Sequence, residues 1–162
     1  MSFYDVYRLY SRAMYNICLR LLGDRNDAED ILQEAFADAF LKIDDFRFES
    51  TFGAWLKQIV VYKCISSLRK RKIELEFIEN MEDYDMPEDD NTGKTEQEAA
   101  LMIEKVKKAM LQLPSGSRSV FSLYLFEGYD HGEIAEIMQI TESTSKSQYM
   151  RARQKIKEII SS

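Results

Sequence analysis

An all-α fold is predicted for this chain by three features of its 162 residues. It has only two prolines and six glycines, it is rich in Leu, Ala, Glu, Lys, Gln and Met, and its apolar residues recur three and four positions apart. Turn formers are too scarce for a sheet protein, whereas helices joined by short turns suit this composition. Apolar residues make up 45% and aromatics 12% of the chain. That suits one or two small globular domains and excludes a disordered tail.

Charge divides the chain in three. Residues 1–72 carry +2, residues 73–98 carry -10 and residues 99–162 carry +2, so the net -6 comes from the middle. The middle contains Met81-Glu-Asp-Tyr-Asp-Met-Pro-Glu-Asp-Asp-Asn-Thr-Gly93, with turn formers, repelling charges and little apolar periodicity. It reads as an acidic flexible linker between two small helical domains. No stretch approaches the roughly 20 apolar residues of a membrane-spanning helix, and Met1-Ser2-Phe3-Tyr4-Asp5 lacks a signal-peptide pattern. A cytoplasmic protein without membrane insertion is expected. Cys18, Cys64 and the single His131 are too few for a disulfide framework or a zinc site. Reduced, buried thiols, no metal and no cofactor are expected.

The first helix is marked by Phe3, Tyr7, Tyr10, Met14, Ile17 and Leu21, which fall on one face and end near Gly23. Asn26-Asp27-Ala28-Glu29 offers an N-cap with Glu three residues on, and Ala28, Ile31, Leu32, Ala35, Phe36, Ala39 and Phe40 continue as a second amphipathic helix. Its other face carries Asp27, Asp30, Gln33, Glu34 and Asp38. Such a face fits a metal site, a carboxylate pair, a docking surface or plain solvation. A di-metal bundle needs Glu-x-x-His pairs, and no nucleophile with a neighbouring base occurs in this half, so no catalytic residue is assigned.

Asp44 to Thr51 is a loop with Phe46, Arg47 and Phe48, a composition able to stack bases, and Ser50 or Thr51 can cap the next helix. From Phe52 a third helix runs through Trp55, Leu56, Ile59, Val60 and Leu68. Lys57 and Lys63 lie off its apolar face, and Arg69-Lys-Arg-Lys72 closes it. The helix dipole favours those terminal cations on its own. A basic helix beside an aromatic loop also has the composition of a surface that contacts phosphates and stacks bases.

In the second half, Ala99 to Leu113 is a helix stopped by Pro114, and Ser117 to Glu127 is a helix ended by Gly128. Asp130 to Met138 is a short helix, Gln139-Ile-Thr141 a turn, and Glu142 begins a longer helix with Thr141 as N-cap. This is a helix-turn-helix pattern, whose second helix enters the DNA major groove. Tyr149 or Met150, Ala152, Ile156 and Ile159 or Ile160 are expected to hold that helix down. Lys146, Gln148 and Arg151 are placed to reach base edges, and Arg153 and Lys155 to meet phosphates.

Taken together, Asp27-Ala-Glu-Asp-Ile-Leu-Gln-Glu-Ala-Phe36, Phe46-Arg-Phe-Glu-Ser-Thr-Phe-Gly-Ala-Trp-Leu56, Val120-Phe-Ser-Leu-Tyr-Leu-Phe-Glu-Gly-Tyr129, Glu133-Ile-Ala-Glu136 and Lys146-Ser-Gln-Tyr-Met-Arg-Ala-Arg153 resemble the extracytoplasmic-function branch of the bacterial sigma-70 family. The resemblance spans nearly the whole chain outside the linker. It implies a non-enzymatic transcription-initiation factor that binds core RNA polymerase and directs it to promoter DNA. It also implies a region-2-like domain over 1–72, a linker over 73–98 and a region-4-like domain over 99–162. Asp27, Asp30, Gln33 and Glu34 then look like the polymerase-docking face. Phe46, Arg47, Phe48, Ser50, Trp55, Lys57, Lys63 and Arg69 look like the surface that opens and reads the -10 element. Thr144, Lys146, Ser147, Gln148, Arg151, Arg153 and Lys155 look like the -35 reader, with the preceding helices meeting the polymerase flap. The acidic linker would thread basic polymerase channels as a mimic of nucleic acid, or serve as a plain tether. With no C-terminal extension, an anti-sigma partner is expected, and a monomer when free. A free-standing helix-turn-helix regulator is the competing reading, and it leaves the acidic face and aromatic loop without a role.

Three positions depart from the family pattern. Gln139 stands where Gly is usual, at a position of positive φ; Ser145 replaces an apolar residue; Gly53 stands where Arg is frequent.

Overall fold

The computed structural model describes residues 2–70, 75–79 and 95–162. It has two compact units, Met1–Leu75 and Glu76–Ser162. Seven α-helices, one 3-10 turn and no strand occur among the described residues, so the all-α expectation holds.

The first unit packs α1 (Phe3–Leu22), α2 (Arg25–Leu41) and α3 (Phe52–Lys70), with a 3-10 turn at Ile43–Asp45. Ser2 and Asp5 form a reciprocal capping box at the start of α1. The Ser2 hydrogen bonds hold the Asp5 carboxyl below its ordinary range. The apolar stripe of α1 sinks along its length: Tyr7 stays exposed, whereas Met14, Ile17, Cys18 and Leu21 are buried. Ala28, Leu32 and Phe36 of α2 and Leu56, Val60 and Ile65 of α3 are buried as well and belong to the core of this unit. Cys18 and Cys64 are free and buried. The hydrogen bond with Cys18, and then burial, push the Cys64 thiol up, so it stays a protonated, packing thiol.

One expected start in this unit moves and another holds. The cap of α2 is Asp24, whose side chain accepts from the Asp27 N–H, rather than Asn26. An Asp directly after the Gly23 stop can close the next helix sooner, so α1 and α2 are joined by two residues. For α3 the cap is Thr51, whose Oγ1 accepts from the Ala54 N–H at 3.2 Å.

The second unit packs α4 (Glu96–Met110), α5 (Ser115–Leu125), α6 (His131–Met138) and α7 (Glu142–Ser161). Helix α4 starts earlier than expected because the Thr95 side chain accepts from the Glu98 N–H, and it ends before Leu113. Residues 96–98 are therefore helix. Ala109, Met110, Leu113, Phe121, Ala152 and Ile156 make the core, and Ile78 packs against it from outside the helices. So the expected linker contributes Glu76 to Glu79 to the second unit. The remainder of the expected acidic stretch, residues 80–94, and the cations at 71 and 72 lie outside the described residues.

Candidate nucleic-acid interface

In the first unit, α2 turns Asp30, Gln33 and Glu34 outward and leaves Asp27 half-buried. The opposite positions of the same helix are the buried Ala28, Ile31, Leu32 and Ala35. The carboxylates are thus displayed as a row by the helical period. Lys63 of α3 reaches this row, 3.1 Å from Asp38 and 3.7 Å from Glu34. Its charge is therefore shared between the two expected surfaces, and these partly exposed pairs are worth at most about 1 kcal/mol.

Two shallow grooves run along the α2 and α3 boundary. One, of about 410 Å³, is lined by Lys42, Trp55, Gln58, Ile59, Tyr62, Lys63 and Lys70 among others. The second, of about 330 Å³, is lined by Asp30, Glu34, Lys63, Ser66, Ser67 and Lys70 among others. Tyr62 was not foreseen from the sequence. It is exposed, and its position seven residues beyond Trp55 was the available signal, since two helical turns return to the same face.

The loop between α2 and α3 is held by an aromatic cluster. The Phe46 ring lies 4.7 Å from Phe48, 5.3 Å from Trp55 and 5.7 Å from Phe52. Phe52 in turn meets Tyr10 of α1 at 5.7 Å. Phe46 is the anchor, and Phe48 is what the anchor presents: it is 84% exposed at φ 60°. A bulky residue in the left-handed region stores strain that the surrounding packing must hold. Arg47 and Ser50 are exposed beside it, and Lys57 and Arg69 are half-buried on α3. Gly53 has a packing reason: a Cβ there would lie 3.2 Å from the Tyr10 ring.

In the second unit, Asp130 and Glu133 form a capping box on α6, and Thr141 caps α7 by accepting from the Thr144 N–H at 3.0 Å. Between them Gln139 adopts φ 57° and ψ 46°. The positive φ expected at this position is therefore present, carried by a side chain that tolerates it poorly. Ser145 is fully buried and meets His131 Nδ1 at 2.8 Å. His131 stacks on Tyr124 at 4.4 Å, and Tyr124 touches Tyr149 at 4.5 Å, so α5, α6 and α7 are clamped together. Burial pushes the Tyr149 phenol up and keeps it neutral there.

Along α7, Lys146, Met150, Arg153 and Lys155 are exposed and Thr144, Ser147 and Arg151 half-buried. Ala152 and Ile156 hold the helix down, with Tyr149, Ile159 and Ile160 partly buried against the same core. Met150, which the sequence left open as a core residue, is 56% exposed and sits one turn beyond Lys146. Gln148 departs from its expected role. It is 4% exposed and its amide is bound to Ser117 and Ile78. The reason is helical phase: positions 145, 148 and 152 make the buried stripe, so a base-reaching Gln148 does not fit this arrangement.

The model of Sigma-70 region 2 matches residues 6–73, and that of Sigma-70 region 4 matches residues 103–156. The chain is 30% identical to the ECF RNA polymerase sigma factor SigW of Bacillus subtilis, covering 96% of this chain and 87% of that protein. It is also 30% identical to SigM of the same organism, covering 97% and 94%. Among solved structures, the sigma factor RpoE, in complex with the anti-sigma factor NepR from Bartonella quintana, matches with a TM-score of 0.63 and 26% identity. That match covers 98% of this chain and 96% of that one. Two matched regions in the family's order, together with full-length relatives, settle the lineage: this chain belongs to the extracytoplasmic-function branch of the sigma-70 family of RNA polymerase sigma factors.

Proposed function

We propose that the two units divide the work of a sigma factor by chemistry. The acidic row of α2, Asp27, Asp30, Gln33 and Glu34, docks core RNA polymerase. The loop Phe46, Arg47, Phe48 and Ser50, with Trp55, Lys57, Lys63 and Arg69, captures an unpaired base of the -10 element and the phosphates beside it. Unstacking a base costs a few kcal/mol, and an aromatic stack returns roughly 1 to 3 kcal/mol of it. The observation that carries this reading is Phe48: an exposed aromatic held at positive φ is costly to maintain for stability alone.

The second unit reads the -35 element through Thr144, Lys146, Ser147 and Arg151, with Met150 added to that face, while Arg153 and Lys155 meet phosphates. The exposed residues of α4 and α5 face the polymerase flap. No chemistry of its own is assigned to the chain, and it acts in the cytoplasm as a monomer until polymerase takes it up. Like the RpoE of the solved complex, it is held in check by an anti-sigma factor.

The test is to add the purified protein to core polymerase freed of other sigma factors, then run gel filtration and map transcript starts on genomic DNA. Co-elution and discrete starts with common upstream motifs are the expected result. Tight duplex binding by the protein alone, with no polymerase complex, would replace this reading with that of a free-standing regulator.

A further inference from the structure

Glu76 to Glu79 are not helical, yet they are fastened to the helix-turn-helix unit by an ordered set of main-chain bonds. The Gly116 N–H donates to the Glu76 carbonyl at 2.7 Å, and the Glu76 N–H donates to Ser115 Oγ at 3.3 Å. Two residues on, the Ile78 N–H donates to Ser117 Oγ at 2.9 Å and to Gln148 Oε1 at 3.1 Å. The Ile78 carbonyl accepts from Gln148 Nε2 and from an Arg151 guanidinium N–H, each at 3.0 Å. Between these anchors Phe77 lies on Gly116, where a Cβ would come 2.6 Å from its ring and 2.7 Å from the Glu76 carbonyl oxygen. Ile78 completes the apolar core of the unit.

The chemistry of this seat is that of base reading turned inward. A glutamine amide that pairs at two points with a peptide N–H and C=O uses the same donor and acceptor with which it would grip adenine. An arginine that donates to a carbonyl has turned part of its fork away from guanine.

We propose that Glu76–Glu79 is a built-in ligand of the DNA-reading unit, competing with promoter DNA for Arg151 until it is displaced. This rests on the reading of α7 as the -35 reader. A sigma factor of this design binds DNA weakly when free, because part of its reading helix is already occupied by its own chain.

Gly116→Ala is the selective probe. The three atoms nearest the added methyl all belong to Phe77 and Glu76, and alanine suits a helix better than glycine. Phe77→Ala is the second variant, in case the first fails to fold. Full-length protein is measured in two ways: hydrogen exchange at the Ile78 amide, and affinity for a duplex carrying the upstream element of a promoter transcribed by the reconstituted holoenzyme. Expected results are a protected Ile78 amide in the parent protein that loses protection when the duplex saturates it. Either variant should lose that protection without DNA and bind the duplex about 3 to 10 times more tightly, and Arg151→Ala should abolish the gain. An Ile78 amide that stays protected on saturated DNA, or variants that release the segment with unchanged or weaker affinity, would overturn the proposal. An absence of discrete transcript starts, with Ile78 still protected, would remove the -35 reading and this proposal together. The other two failures remove only the proposal.

Discussion

The buried hydroxyl of Ser145 and the Nδ1 atom of His131 lie 2.8 Å apart, joining the first turn of α7 to the first residue of α6. This polar pair ties the two helices of the helix-turn-helix together across the turn that contains Gln139. Its worth is that of one satisfied buried hydrogen bond, about 1 kcal/mol. Ser145→Ala should therefore lower the melting temperature of the second unit by about 5 °C in calorimetry of the full chain. An unchanged transition would mean that Tyr124 stacking alone orients His131.

Gln139 sits at φ 57° in the turn of the helix-turn-helix. Gln139→Gly should remove a left-handed strain of about 1 kcal/mol, partly offset by the greater freedom of glycine in the unfolded chain. A rise of about 2 to 4 °C in the same transition is the expected reading. A fall would show that the Gln139 side chain makes contacts outweighing its backbone strain.

Phe48 carries the same kind of strain with a functional consequence. Phe48→Gly should leave the first unit equally stable or slightly more so, since relief of about 1 kcal/mol offsets the lost contact with Phe46. The same variant should open promoters several-fold more slowly when assayed by permanganate reactivity of unpaired thymines. Normal opening would remove Phe48 from the proposed base-capturing surface.

Asp30 is exposed on the acidic row of α2, away from the buried stripe. Asp30→Lys should reduce affinity for core polymerase about tenfold, the effect of losing roughly 1.4 kcal/mol, with an unchanged circular dichroism spectrum. Glu34→Lys should do the same while also repelling Lys63. Unchanged affinity in both would move the docking face elsewhere.

Arg151 and Lys155 separate reading from anchoring. Arg151→Ala should cost about 1 to 3 kcal/mol at cognate promoters and relax the preference at one base pair. Lys155→Ala should weaken specific and non-specific duplexes alike and reduce the salt slope by about 1. Equal losses at all sequences for Arg151→Ala would make it another phosphate contact.

Much of this was legible in one dimension. The all-α class, the first core stripe and the helix-turn-helix with its Thr141 cap follow from local rules, because helix period, caps and stop residues act over a few neighbouring positions. The acidic row of α2 was legible for the same reason. The family resemblance pointed to positive φ at Gln139, and the structure has φ 57° there. What only the tertiary structure decided is long-range. Tyr10 explains Gly53, Trp55 of α3 holds the loop residue Phe46, Lys63 divides itself between Asp38 and Glu34, and Ile78 leaves the expected linker to bind Gln148 and Arg151. In each case a side chain meets a partner from a different segment of the fold, up to 73 positions away. No helical period encodes such a meeting, because it exists only once the helices have packed.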